Sequence, residues 1–255
     1  MRDMNIDERL SRLFIYYNAR LYQKPGAIND DGATKKATAL ALRKFGACKD
    51  SLWKYDILNV NKKPPPEVYR IANRITVRPL KVPRNINAIK KCLANQVPVI
   101  IGIRMGSIDG NEVRANNGYL RRLDPNDPYL DEKGYRCHSV VLVGYDEKAK
   151  HFIARNSWGR SSGLDGYFYV PYEDVMAKNL VNHSDGVWSI TEIMLRTSHM
   201  PTVRRLYLPG HNQDGRQRRQ RHTQILPTTH RRSTAPVTRE YWPRPSFFIN
   251  NIEIY

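Results

Sequence analysis

Two side chains able to control a proton, His138 and Asn156, flank the turn DEKAK at residues 146–150. Apolar runs on either side of that turn predict an antiparallel hairpin centred near Glu147. Positions whose numbers sum to 294 then face each other, and His138 faces Asn156. Directly opposed residues share a sheet face with Cβ atoms roughly 4.5–5.5 Å apart. An amide oxygen accepting from one ring N–H would fix the tautomer of the imidazole and leave its other nitrogen for a nucleophile. With a thiol there, proton transfer gives a thiolate–imidazolium pair and a strongly lowered cysteine pKa. Trp158, two residues past the asparagine, is placed to shield that bond from water. Taken alone, the same residues also fit a surface histidine and a turn asparagine.

The chain carries three cysteines, Cys48, Cys92 and Cys137. An odd, sparse set is not a disulfide framework. Cys48 follows the end of a predicted helix and lacks a following apolar helix. Cys92 falls on the inner face of a short predicted helix, the position of a small buried hydrophobe. Cys137 directly precedes His138, and adjacent strand residues point to opposite faces. None of the three is therefore placed to act on the imidazole. No C-x-x-C or H-x-x-x-H spacing appears, which leaves Cys137, His138 and His151 as the one zinc reading. No cofactor is expected.

The elements that position these residues are legible in the apolar pattern. HSVVLVGYD, HFIARNSW and GYFYVPY read as consecutive strands with short connections, followed by a short helix EDVMAKN and a last strand VWSITEIML. Upstream, PVIIGI is a short apolar strand behind the helix INAIKKCLANQ. Residues 106–135 read as a polar loop. In the first sixty residues, helical spacing places Leu10, Leu13, Phe14, Tyr17 and Leu21 on one face of a first helix. A second helix, TKKATALALRKFG, stops at Gly46. Residues 50–83 read as irregular. The whole indicates an α+β fold.

Three strings, CHSVVLVGYD, FIARNSWG and GLDGYFYVPY, resemble in order and spacing three successive signatures of the papain-like (C1) cysteine peptidases. SRLFIYYNAR and DDGATKKATALALRKFGACKDSLWKYD are similar to left-domain segments of that family, and PVIIGI to the central strand of its right domain. The resemblance covers about residues 8–198. It implies a papain-like fold with an antiparallel, barrel-like right domain (80–198), a truncated helical left domain (1–79) and an Arg-rich, disordered tail (199–255). It further implies peptide-bond hydrolysis, with His138 as the catalytic imidazole, Asn156 as its orienting partner and Trp158 as the shield. Arg136 and Cys137 would border the substrate.

The departure from the family is large. No cysteine lies between Met1 and Ala47, whereas the family places its nucleophile roughly 130–150 residues before the His and Asn. The expectation is a chain that begins downstream of the catalytic cysteine and of the oxyanion glutamine, inactive by itself. On that expectation the apolar face of the first helix has lost the helix it leans on. A non-catalytic pseudopeptidase or binding module, or a basic-tailed interaction protein, is the alternative. The family resemblance suggests a secreted or lysosomal enzyme if the N-terminus is truncated. The start MRDMNIDERLSRLF holds no secretory signal.

Lys and Arg outnumber Asp and Glu by 42 to 24, giving a net charge of +18. Such a charge favours acidic partners without dictating a fold. Residues 201–255 hold ten arginines against Asp214, Glu240 and Glu253. That composition reads as a solvated extension; nucleic acid, if bound at all, would be bound through it. No run reaches the ~20 apolar residues of a membrane span, and a peptide or protein is the expected partner.

Overall fold

The computed structural model describes residues 9–26, 28–104, 113, 115–120, 137–177, 185–196 and 204–207. Helix α1 (Arg12–Gln23) starts where the Ser11 side chain accepts the Phe14 N–H at 3.1 Å, an N-cap that satisfies an otherwise orphan donor. Helix α2 (Lys35–Phe45) is capped the same way by Thr34. It ends at Gly46, whose φ of 75° is open to glycine at little cost. A Cβ there would collide with the carbonyl oxygens of Ala72 and Ile75.

Residues 50–83, read as irregular from sequence, contain helix α3 (Pro66–Ala72) and strand β1 (Ile75–Val82). The proline run misled that reading. Pro66 stands in the first turn of α3, where its missing N–H costs nothing. Pro79 sits on β1, at the end of the strand order, where the pairing with β6 slips past Thr191, a place where a residue without a donor is tolerated. β1 also straddles the boundary expected between residues 79 and 80.

Next come helix α4 (Ile86–Ala94) and strands β2 (Val99–Arg104), β3 (Cys137–Asp146), β4 (His151–Arg155) and β5 (Tyr167–Pro171). Helix α5 (Tyr172–Met176), β6 (Val187–Leu195) and β7 (Arg204–Tyr207) follow. The pairings between these strands are antiparallel, in the order β1-β6-β2-β3-β4-β5, with β7 added on β6. The path is open among the described residues, where a barrel-like closure was expected. Four residues of the tail, Arg204–Tyr207, are thus a strand; the rest of the expected extension lies outside the described residues, as does nearly all of the 106–135 loop.

Alternation fixes which side chains are inside. On β2 and β3, Val99, Ile101 and Ile103 share a face with Val140 and Leu142; Phe152, Ala154, Phe168 and Val170 continue it across β4 and β5. Ile89 and Leu93 of α4 and Val175 of α5 cover that layer. Each fully buried Val, Leu, Ile or Phe among these contributes roughly 1.5–3 kcal/mol. The stripe on α1 is not left bare. Phe14 packs with Cys48, Val68 and Ala72, and Ile15 with Leu42, Ala47, Val77 and Ile193. Leu13, Phe14 and Tyr17 are buried, because α2, α3 and β1 enclose the helix. This corrects the expectation of an uncovered apolar face.

One buried ion pair ties the helices to the sheet. Asp185, just before β6, accepts backbone N–H groups of Lys35 and Lys36 at the start of α2 and the Lys35 ammonium at 3.1 Å. Both side chains are under a tenth exposed.

Candidate active site

His138 lies at one end of the inner face of β3, paired in register with Ile103 of β2. The β3–β4 hairpin does not have the register read from the sequence. Asp146 opposes His151 and Tyr145 opposes Phe152, so the turn is centred between Lys148 and Ala149. An irregularity between Leu142 and Gly144 then shifts the pairing by one. Extended past Val141↔Arg155, this register sets Asn156 opposite Val140, two positions from His138. The contact forms along the diagonal, a distance long side chains can bridge. His138 Nε2 lies 2.7 Å from Asn156 Oδ1.

The amide and ring orientations follow from one unambiguous donor. The Ser157 backbone N–H donates to Asn156 Oδ1 at 2.8 Å, so that atom is the oxygen. An oxygen facing Nε2 requires a proton on Nε2, since the amide oxygen only accepts. In the neutral ring Nδ1 then holds the free lone pair and is the basic nitrogen. The other end of the amide is also held, with Asn156 Nδ2 donating to Ser162 Oγ at 3.0 Å. Ser162 reaches it because residues 159–166 fold back on themselves. Asn156 N–H bonds Gly166 O, and Gly166 N–H bonds Ser162 O. Neither Ser157 nor Ser162 was singled out from sequence. The signal available was the glycine punctuation of NSWGRSSGLDG, where Gly159, Gly163 and Gly166 all have positive φ.

Trp158 lies over the imidazole, with ring centroids 4.6 Å apart and planes 32° from parallel. The indole is itself 47% exposed, so it covers one face of the ring and its bond without closing the site. Burial pushes the His138 pKa below the ordinary histidine value, and the Asn156 bond pulls it partway back. The ring is therefore neutral near pH 7, in the form that can accept a proton.

The two free thiols described by the structure are elsewhere. Cys48 is buried among Phe14, Val68 and Ala72, and burial pushes its pKa up to about 12. Cys92 on α4 packs beside the sheet core, and burial raises its pKa too. Of the two residues expected at the substrate border, Arg136 lies outside the described residues. Cys137 is placed by its backbone alone, opposite Arg104 at the start of β3. The zinc reading does not survive. His151 is at the turn end of the hairpin, eight positions along β3 from His138 by way of Asp146, about 26 Å at the usual rise. Among the described residues no three metal-type donors converge. Among them also, no helix is long and apolar enough to cross a membrane.

Comparison with known proteins bears on the family of the chain. The model of the papain family cysteine proteases matches residues 30–184. An uncharacterized peptidase C1-like protein of Acanthamoeba polyphaga mimivirus is 31% identical over 193 residues, covering 72% of this chain and 59% of that protein. The chain thus spans less than two thirds of this relative. Xylellain, a cysteine protease from Xylella fastidiosa, superposes with a TM-score of 0.57 at 32% identity, covering 71% of this chain and 69% of that one. A surface-layer-associated cysteine protease of Clostridium difficile shares the fold at 14% identity and a TM-score of 0.54, over 75% of this chain and 43% of its own.

Proposed function

The chain belongs to the papain family of cysteine proteases, and from that premise we propose that it carries the acid–base half of a peptide-bond hydrolase. His138 is the general base and acid, Asn156 its orienting partner and Trp158 the cover over their bond. The observation that carries this reading is the Ser157 N–H on Asn156 Oδ1, which leaves Nδ1 of His138 as the basic nitrogen. In the reaction, Nδ1 takes the proton of a cysteine thiol, and the thiolate attacks the carbonyl carbon of the scissile bond. The imidazolium returns the proton to the departing amine, leaving a thioester. Nδ1 then takes a proton from water, whose hydroxide releases the acid and regenerates the thiol.

None of the three cysteines of the chain is assigned as that thiol. Cys48 and Cys92 are committed to packing, and Cys137 is the strand neighbour of the base itself. The 255-residue chain should therefore show no iodoacetamide-sensitive turnover of fluorogenic peptides. Supplying a cysteine-bearing, family-type segment encoded in frame upstream should create turnover that His138→Ala abolishes. Turnover by the 255 residues that disappears in Cys92→Ala or Cys137→Ala would overturn the assignment.

A non-catalytic binding module is the second reading. It is favoured by one observation, the burial of Phe14 and Ile15 of α1 among residues of α2, α3 and β1. A genuine stop codon directly upstream of Met1 supports it.

A further inference from the structure

The chain between α2 and α3 leaves aliphatic side chains in water. Asp56 opens a 3₁₀ turn over Ile57–Asn59, where its carboxylate accepts the Leu58 N–H at 3.0 Å and the Asn59 side-chain amide at 3.0 Å. A second tight turn follows, with the Lys62 N–H on the Asn59 carbonyl at 3.0 Å. At the tip stand Ile57 and Leu58, neighbours in the chain, 57% and 80% exposed. The turn is held from behind. Arg20 of α1, only 3% exposed, donates to the Val60 carbonyl, to Asn61 Oδ1 at 2.7 Å and to the Asn29 carbonyl at 2.7 Å. Tyr55, at the entrance to the turn, lies against the Arg12 guanidinium, which is 4.6 Å from its ring centroid. A buried cation thus fixes a turn that presents an aliphatic pair to the outside.

Two adjacent aliphatic side chains kept wet on an ordered turn, with a polar rim, mark a contact surface. The charges around the tip choose the partner. Lys54 precedes Ile57, and Lys62 and Lys63 follow Leu58, all three exposed. The second turn brings the Lys62 Cα back to within about 7 Å of that of Asn59. The one acid among residues 52–63 is Asp56, and both its carboxylate oxygens are bound inside the turn. The tip is therefore aliphatic with a lysine rim. Protein interfaces are depleted in lysine, and their anchoring positions favour Trp, Tyr and Arg over Leu. An anionic bilayer surface asks for the combination present here. Aliphatic side chains enter the boundary of the acyl chains, and hydrated point charges meet the headgroups. The net charge of the whole chain, +18, has the same sign as the rim.

We propose that the Ile57–Leu58 tip inserts into the headgroup region of a bilayer that contains anionic lipids, with Lys54, Lys62 and Lys63 on the headgroups. The contact is interfacial and needs no spanning helix. Because Arg20 already fixes the turn, little conformational freedom is left to be lost on insertion. The proposal is independent of whether His138 catalyses anything, and His138→Ala should leave membrane docking unchanged.

The test is co-sedimentation of the 255-residue chain with phosphatidylcholine vesicles made with and without phosphatidylserine. The parent should bind the vesicles that contain phosphatidylserine and leave the neutral ones. Ile57→Ser with Leu58→Ser keeps every charge and should weaken that binding about 10-fold or more, the equivalent of about one aliphatic side chain taken from water. Lys62→Gln with Lys63→Gln should weaken it about 25-fold at low salt, at about 5-fold for each lysine near an anionic surface. That second loss should shrink as salt screens the charges. Thermal melts check that the variants stay folded. Leu58→Trp should add an emission that moves to the blue on these vesicles and is quenched by brominated lipid chains. Absence of that shift and quenching refutes insertion by itself. Binding of the serine variant equal to that of the parent also overturns the proposal, since the attraction would then be one of net charge alone. So does self-association of the chain that the serine variant abolishes while vesicles have no effect, which would make the tip a protein contact.

Discussion

Replacing Asn156 by alanine isolates the bond on which the site depends. The amide makes three contacts, accepting from His138 Nε2 and the Ser157 N–H and donating to Ser162 Oγ. Alanine leaves two donors without an acceptor. A buried donor stranded in this way costs about 1–3 kcal/mol. His138 and Ser157 are only half-buried, so about 1 kcal/mol each is appropriate, about 2 kcal/mol together. For a chain of this size that is a loss of about 4–8 °C in Tm. The same change removes the influence that raises the His138 pKa, so burial acts alone and the pKa falls further. Because the folded value lies below the unfolded value of about 6.5, the unfolded state binds the proton first as pH falls. Stability from the neutral ring is complete above about 6.5 and declines as pH drops toward the folded pKa. In Asn156→Ala that decline should continue to lower pH than in the parent. The assay is an NMR titration of the His138 ring with ¹⁵N tautomer assignment, alongside urea unfolding at pH 5 and 7. A parent ring protonated on Nδ1, or a pKa that rises in Asn156→Ala, refutes the reasoning.

Ser162→Ala should lower the His138 pKa in the same direction but by less, and Ser162→Thr should restore it, as read by the same titration. Asp185→Ala strands the Lys35 ammonium where it is buried, and chemical denaturation should report about 3–5 kcal/mol lost. With Cys92 and Cys137 changed to alanine, Cys48 should stay unreactive toward a disulfide reagent at pH 8 until urea unfolds the chain, given its pKa of about 12. Gly46→Ala should cost about 1–3 kcal/mol or more in thermal melts, through its positive φ and its approach to the Ala72 carbonyl.

The pairing of His138 with Asn156 was legible in the sequence, but for a partly wrong reason. A turn was assumed symmetric about Glu147, whereas Asp146 closes on the Ala149 N–H and Lys150 takes a positive φ of 57°. The hairpin is centred later, and the irregularity near Val143 moves the register again. Two side chains of adequate length still meet across that offset. The strands β2 to β6 were visible because their apolar runs are bounded by glycine and polar turns. α3 and β1 were hidden because a proline is normally a breaker. Only the surrounding chain decides whether Pro66 opens a helix and Pro79 sits where the pairing with β6 slips. The enclosure of α1 could not be read at all, since it depends on helix and strand neighbours that the local pattern does not announce. Ser162 acts through a fold-back of eight residues, for which spacing alone gives no cue.

The place of β6 in the sheet has a consequence for synthesis. It lies between β1 and β2, and Ile75 pairs with Leu195, 120 positions later. At translation rates of about 5–20 residues per second, β1 waits about 6–24 s for that partner. During that interval Val77, destined for the buried cluster with Ile15 and Leu42, has no strand beside it to cover its edge. The helical and sheet portions therefore cannot mature one after the other from the ribosome. Both close together when residues 187–195 emerge, and until then the nascent chain is a natural client for chaperones that hold exposed strand edges apart.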